Sequence, residues 1–237
     1  MIGGYPDPSG HPESRLGRGQ LIEQIRERGI ENLEILELFH RIPRDLFLPS
    51  AISARAWEDS PIPIGWGQTA SQPSLQALYL QALDLRPDDR VLEIGTGSGF
   101  LTALLSQITD RVYSIERIRD LSQRARQVLD DLGIRNVAIQ VGDGTIGWRK
   151  FAPFDVIVVS AGSPAVPPAL LDQLAVGGRL LIPVGDRLRQ ELLLLTKGSD
   201  GEIESRAVLP ECSFVPLLGR FAWDDDSESP ARERADR

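Results

Sequence analysis

The residues best able to do chemistry sit at three points: the run Val91-Leu92-Glu93-Ile94-Gly95-Thr96-Gly97-Ser98-Gly99, Glu116, and Gly142-Asp143-Gly144. In the first, an apolar run of buried-strand type passes into a glycine-rich turn and then a helical stretch. Such a turn lets a ligand approach the backbone closely, and the following helix offers it free N–H groups. Glu116 ends the next apolar run, 21 residues after Gly95. A carboxylate there can accept hydrogen bonds from both hydroxyls of a ribose. Asp143 ends the third run, where it can accept from an adenine amino group while Gly142 and Gly144 leave room for the ring. Singly, each feature reads as a solvated turn; at the ends of three consecutive runs they read as one adenosine site. A dinucleotide fails on spacing, because the third glycine of G-x-G-x-x-G would fall where Phe100 stands.

The chain has two histidines, His11 near the start and His40 at the end of an N-terminal helical pattern, so a histidine triad or general base is not expected. A reaction at a carboxylate fits, since a group with an unperturbed pKa near ~4 is ionised at neutral pH and needs no proton acceptor. Twenty-six Lys and Arg against 34 Asp and Glu give a net charge of -8, which sets nucleic acid aside as a partner. The single cysteine, Cys212, has no zinc-type spacing around it and suits a reducing cytoplasm; no metal is expected. The first 19 residues lack the apolar stretch of a signal peptide, and no run reaches the roughly 20 apolar residues of a membrane span.

These residues need a frame. Short apolar runs alternate with helical ones from Arg90 onward, the rhythm of right-handed crossovers in a doubly wound, mainly parallel sheet. The segments EIESRAVL and CSFVPLL have no helix between them, so the sheet should finish with antiparallel strands. Upstream, apolar residues from Leu21 to Phe39 recur at helical spacing and are broken by Gly29 into two helices. Pro43, Pro49, Pro61 and Pro63 force an irregular stretch, and Pro73 opens a further helix. The expected division is a disordered extension over 1–18, a helical subdomain with an active-site loop over 19–86, an α/β core over 87–222, and a disordered acidic tail over 223–237.

The pattern E-x-G-x-G-x-G resembles class I S-adenosylmethionine-dependent methyltransferases. Pro61-Ile62-Pro63-Ile64-Gly65-Trp66-Gly67-Gln68-Thr69-Ala70-Ser71-Gln72-Pro73 resembles the signature of protein-L-isoaspartate (D-aspartate) O-methyltransferases. That likeness continues through RVLEIGTGSGF, Ser114-Ile115-Glu116-Arg117, VGDG, APFD and Phe214-Val215-Pro216-Leu217, spanning about residues 19 to 220. It implies a Rossmann-like class I fold, S-adenosylmethionine as cofactor, and methylation of L-isoaspartyl, and D-aspartyl, residues in damaged proteins by a cytoplasmic monomer. Ser71 matches the family's active-site serine; Ile64, Gly65, Gln68, Thr69, Ala70, Gln72, Pro73, Val215 and Pro216 fall in its substrate-binding segments. Glu93, Gly95, Thr96, Gly97, Ser98, Gly99, Glu116, Arg117, Gly142, Asp143 and Gly144 fall in its cofactor segments. From the residues alone, Ser71 before Gln-Pro also reads as a helix N-cap. Ala70, Ser74-Leu75-Gln76 and Leu218 depart from the usual pattern, which bears on substrate preference and affinity.

Three other readings compete. A carboxyl methyltransferase acting on a dedicated ribosomally made peptide would be favoured by an appended recognition domain. A non-catalytic nucleotide-binding module is disfavoured by the retained acids and Ser71. A dehydrogenase fails on the glycine spacing.

Overall fold

The computed structural model describes residues 12–224. The expectations for residues 1–11 and 225–237 lie outside the described residues. Helix α1 (Pro12–Glu27) starts inside the stretch expected to precede the fold. Tertiary contacts override the glycine-rich local sequence there: the Arg18 guanidinium sits 4.6 Å over the Trp57 ring and donates to the His40 carbonyl at 2.9 Å. Gly29, at φ +88°, turns the chain toward α2 (Leu33–Arg41), whose first amides are capped by the Asn32 side chain.

Two short 3₁₀ segments follow, and then a hairpin of β1 (Ile62–Gly65) and β2 (Gln68–Ala70). Residues 64–73, which the family resemblance implied to be a substrate-holding loop, are thus mostly hairpin. Its tip runs through Gly65, Trp66 and Gly67, all at positive φ, and the Arg124 guanidinium lies 4.7 Å over the Trp66 ring. Beneath it, Ile62, Ile64 and Ala70 pack with Leu48, Ala56 and Leu121. Helix α3 (Pro73–Leu83) opens on its proline, whose missing N–H costs nothing in the first turn.

The remaining elements are β3 (Arg90–Ile94), α4 (Phe100–Ile108), β4 (Arg111–Glu116), α5 (Arg119–Asp131), β5 (Val137–Val141), β6 (Phe154–Val159), α6 (Pro168–Gln173), β7 (Leu174–Gly185), β8 (Gln190–Lys197) and β9 (Ile203–Cys212). They build a seven-stranded sheet in the order β5-β4-β3-β6-β7-β8-β9. Strands β5, β4, β3, β6 and β7 run parallel, while β8 and β9 are antiparallel. Helices cover both faces of the central strands, so Val91, Leu92, Glu93 and Ile94 are all buried. The order reverses between β3 and β6, and a crevice opens there at the carboxyl ends of the strands.

The last expected strand, CSFVPLL, does not form. β9 absorbs its cysteine, and residues 213–223 turn back across the crevice. Pro216 has no amide for a ladder, so only local pairing remains: Gly162 donates to Val215 at 2.8 Å, and Leu217 donates to Gly162 at 2.8 Å.

Candidate active site

The crevice is walled by three segments. Gly95, Thr96, Gly97 and Ser98 come from the turn after β3, Gln68 to Ser71 from the hairpin, and Val215 to Leu218 from the returning chain. Glu116, Arg117 and Gly144 close the side toward β4 and β5. Positive φ at Gly95 (+93°) and Gly97 (+54°) gives a turn that a side chain would strain, and an added Cβ on Gly97 would meet Ile64 Cδ1 at 3.7 Å.

Glu116 is buried at the tip of β4. Its Oε2 accepts from the Gly97 amide at 2.8 Å and its Oε1 from the Ile118 amide at 2.9 Å. A carboxylate offers about four acceptor sites, so each oxygen keeps one beyond its backbone partner. The same side chain that can receive two ribose hydroxyls therefore shapes the glycine turn.

Other expected site residues do not reach the wall. Glu93 is fully buried behind the turn, where its Oε2 accepts from Thr102 and Ser114 hydroxyls, both at 2.6 Å. Thr96 joins this network at 2.5 Å from Ser114 Oγ. Glu93 thus supports the turn from within the core. Gly99, at φ +89°, has no room for a Cβ, which would come 2.9 Å from Ala125 Cβ; it lets α4 pack on α5. Gly142 donates to the Glu116 carbonyl at 3.0 Å. The Asp143 carboxylate turns into the chain, accepting from the Thr145 amide and hydroxyl at 2.8 and 2.7 Å and from the Arg220 amide at 2.9 Å. Three of its about four acceptor sites are taken by the protein itself. Ile64 is buried under the hairpin, Gly65 forms its tip, and Pro73 is buried at the start of α3.

Ser71 does not cap α3. The cap position is Gln72, without a side-chain cap bond, and Asp59 takes over by accepting from the Ser74 amide at 2.8 Å and from Gln72 Nε2 at 2.9 Å. On the other side of this corner stands Arg44, almost wholly buried. It donates to the carbonyls of Ala56 at 2.6 Å, Glu58 at 3.3 Å and Ser71 at 3.2 Å. Burial lowers its pKa to about 10, against the pull of Asp59 and Glu58, so it is charged at neutral pH. Ser71 is therefore held by its backbone, on a wall of the crevice.

Sequence reasoning passed over Arg44 and Asp59, and met Gln76 only as part of a departure from the family pattern. Gln76 lines the crevice with its Oε1 buried and unpartnered, an unpaid desolvation that a ligand donor would relieve. The signal was a glutamine within the apolar face of LQALYL. Arg44 and Asp59 act on backbone groups far along the chain and left no local signal.

Burial pushes the Glu93 carboxyl up to about 7, although the Ser114 and Thr102 hydroxyls pull the other way. The folded state therefore keeps a proton that the unfolded chain releases near its ordinary value. Stability from this group is full below about 4.5 and is lost as pH rises to about 7, on the order of 3 kcal/mol in all. Glu93→Gln, which mimics the protonated form, should remove that component. Denaturant unfolding of both proteins at pH 5 and pH 8 checks it; an identical pH dependence in the two contradicts it.

The glycine turn, the acidic tip of β4 and the switch-point crevice in this sheet define a class I S-adenosylmethionine-dependent methyltransferase fold. The more specific kinship follows from comparison with known proteins. The family model of the Protein-L-isoaspartate(D-aspartate) O-methyltransferase family (PCMT) matches residues 17–222, and the chain belongs to that family. A protein-L-isoaspartate O-methyltransferase from Syntrophus aciditrophicus is 51% identical over 84% of this chain and 92% of its own length. One from Trichlorobacter lovleyi is 51% identical over 86% and 94%. A solved protein-L-isoaspartate O-methyltransferase superposes with a TM-score of 0.77 at 32% identity, over 86% of this chain and 67% of that one. A Plasmodium falciparum protein described as such an enzyme, solved in complex with S-adenosyl-L-homocysteine, gives 0.73 at 26% identity, over 84% and 97%.

Proposed function

We propose that this chain methylates the free α-carboxylate of L-isoaspartyl residues in damaged proteins, using S-adenosylmethionine, and so starts their repair. The observation that carries this reading is Ser71. It stands on the crevice wall, fixed by Arg44, within the family's Gly-Gln-Thr-x-Ser-Gln-Pro segment, and the helix start draws its cap from Asp59 instead.

The residues present fit the cofactor. Glu116 retains acceptors for ribose hydroxyls, the positive-φ glycines admit close backbone approach, and Gln76 offers an unpaired amide oxygen on the wall. When bound, S-adenosylmethionine supplies an electrophilic methyl group. The chain's own residues do the rest by placement. On this reading the hairpin, whose tip carries the Arg124 guanidinium 4.7 Å over the Trp66 ring, covers one side of the bound substrate, and the Ser71 hydroxyl on the crevice wall holds the substrate carboxylate. The substrate oxygen is already ionised, so no residue needs to take a proton; correct placement alone can contribute roughly 7 to 11 kcal/mol at its largest. The free, half-buried Cys212 fits a reducing cytoplasm.

Ser71→Ala tests the role of the hydroxyl. With the backbone contact from Arg44 retained, the variant should bind S-adenosylhomocysteine as the parent does, yet turn over isoaspartyl peptide roughly tenfold or more slowly, for one lost hydrogen bond to a charged group. A parental turnover number would reduce Ser71 to a backbone anchor.

A further inference from the structure

A groove opens off the crevice at Ser71. Thr69, Ser71, Ser160 and Val215 line both spaces. From there the groove, about 300 Å³, runs over Leu75 and Leu78 of α3 to Leu209 of β9 and Phe214 just beyond that strand. These four side chains are half-buried and pack on the main core while keeping a face open. Leu75 and Leu78 are three positions apart and share a helix face. The far wall is rigid: Phe214 stacks on buried Tyr79 with centroids 6.2 Å apart, and its amide donates to Gln190 Oε1 at 2.8 Å. Exposed Arg28 and Glu211, of opposite charge, stand at its margins, so the groove has no single-sign field.

We propose that this groove is a subsite for the substrate polypeptide and takes a large apolar side chain from a residue next to the damaged one. The proposal rests on the reading of Ser71 above. A chain whose reactive carboxylate lies at Ser71 must leave the crevice, and this groove begins at that residue. Neighbouring residues of an extended chain are about 3.3 to 3.6 Å apart along its axis, so the next side chain falls within the groove's first segment. Its floor offers that side chain apolar contact and no charge.

The test uses the full chain and labelled methyl transfer to isoaspartyl peptides. Leucine or phenylalanine is placed in turn on each side of the isoaspartyl residue and compared with glycine at both sides. For the parent protein, kcat/KM should be about tenfold higher with the large apolar residue on one side, the factor that corresponds to about 1.4 kcal/mol. Leu75→Ser and Leu78→Ser should lose that preference, with the glycine-flanked peptide and S-adenosylhomocysteine affinity unaffected. Leu78→Trp fills the groove with its own side chain and should make the glycine-flanked peptide the better substrate, a result that does not depend on the serine variants folding. No flank preference in the parent, or a preference that survives all three variants, overturns the subsite while leaving isoaspartyl methylation intact. Failure of the parent to methylate any isoaspartyl peptide overturns the functional reading and the subsite together.

Discussion

Glu116→Ala should weaken S-adenosylhomocysteine binding by a factor of about 100 or more. This carboxylate lines the crevice with one acceptor site left on each oxygen, and if both take ribose hydroxyls at about 1.5 to 3 kcal/mol each, losing both exceeds the roughly 2.7 kcal/mol of a hundredfold change. A second loss adds to the first, because the Gly97 and Ile118 amides lose their partner and the glycine turn its brace. Glu116→Gln does not rescue this: its NH₂ group would meet one of those amides donor to donor. Calorimetric titration decides the matter, and parental affinity in the alanine variant removes Glu116 from the site.

Arg44→Met should lower stability by about 3 to 5 kcal/mol, the scale of leaving three carbonyls without a donor at about 1 to 3 kcal/mol each, less where water reaches them. Replacing buried ion pairs by apolar groups is often harmless when both partners go. Here the partners are the carbonyls of Ala56, Glu58 and Ser71, which stay and lose their donor. For a chain of this size the midpoint temperature should fall by roughly 10 °C. Arg44→Lys should recover little, because an ammonium lacks the planar fork that spans the three carbonyls. A midpoint within about 2 °C of the parent in thermal unfolding would show that the carbonyls find other partners.

Much of this was legible in the sequence because it is local. The E-x-G-x-G-x-G run needs its glycines where the chain adopts positive φ, and Glu116 and Asp143 mark the ends of successive strands whatever the rest of the fold does. What the sequence hid lies in which way side chains turn and what distant segments do. Glu93 belongs to the same run, yet in a central strand covered on both faces its side chain ends in the core, met by Thr102 of α4 and Ser114 of β4. Asp143 looked available to adenine, but the chain returns 77 residues later and places the Arg220 amide on its carboxylate. The reading of Ser71 as a helix cap was sound chemistry for the residue type and was displaced by Asp59, 15 positions before the Ser74 amide that it holds. The segment 212–218 looked like a strand by composition, but Pro216 and the pairing to Gly162 send the chain across the crevice instead. Cysteine count and net charge located nothing in the site.

The central claim is that the crevice aligns the α-carboxylate of an isoaspartyl residue, and it is tested most directly by a pair of peptides differing only in isoaspartyl against aspartyl linkage. In the isoaspartyl form the main chain runs through the side-chain carbonyl, so the carboxylate sits one methylene away from its place in the aspartyl form. A misplaced nucleophile forfeits the orientation term as well as a contact, so discrimination should be at least about a hundredfold in kcat/KM. Labelled methyl transfer followed by mild alkali measures both halves of the account. The expected result is label on the isoaspartyl peptide alone, released as methanol as the neighbouring amide nitrogen closes a succinimide. Equal labelling of the two peptides, or a labelled product that resists alkali, would contradict it.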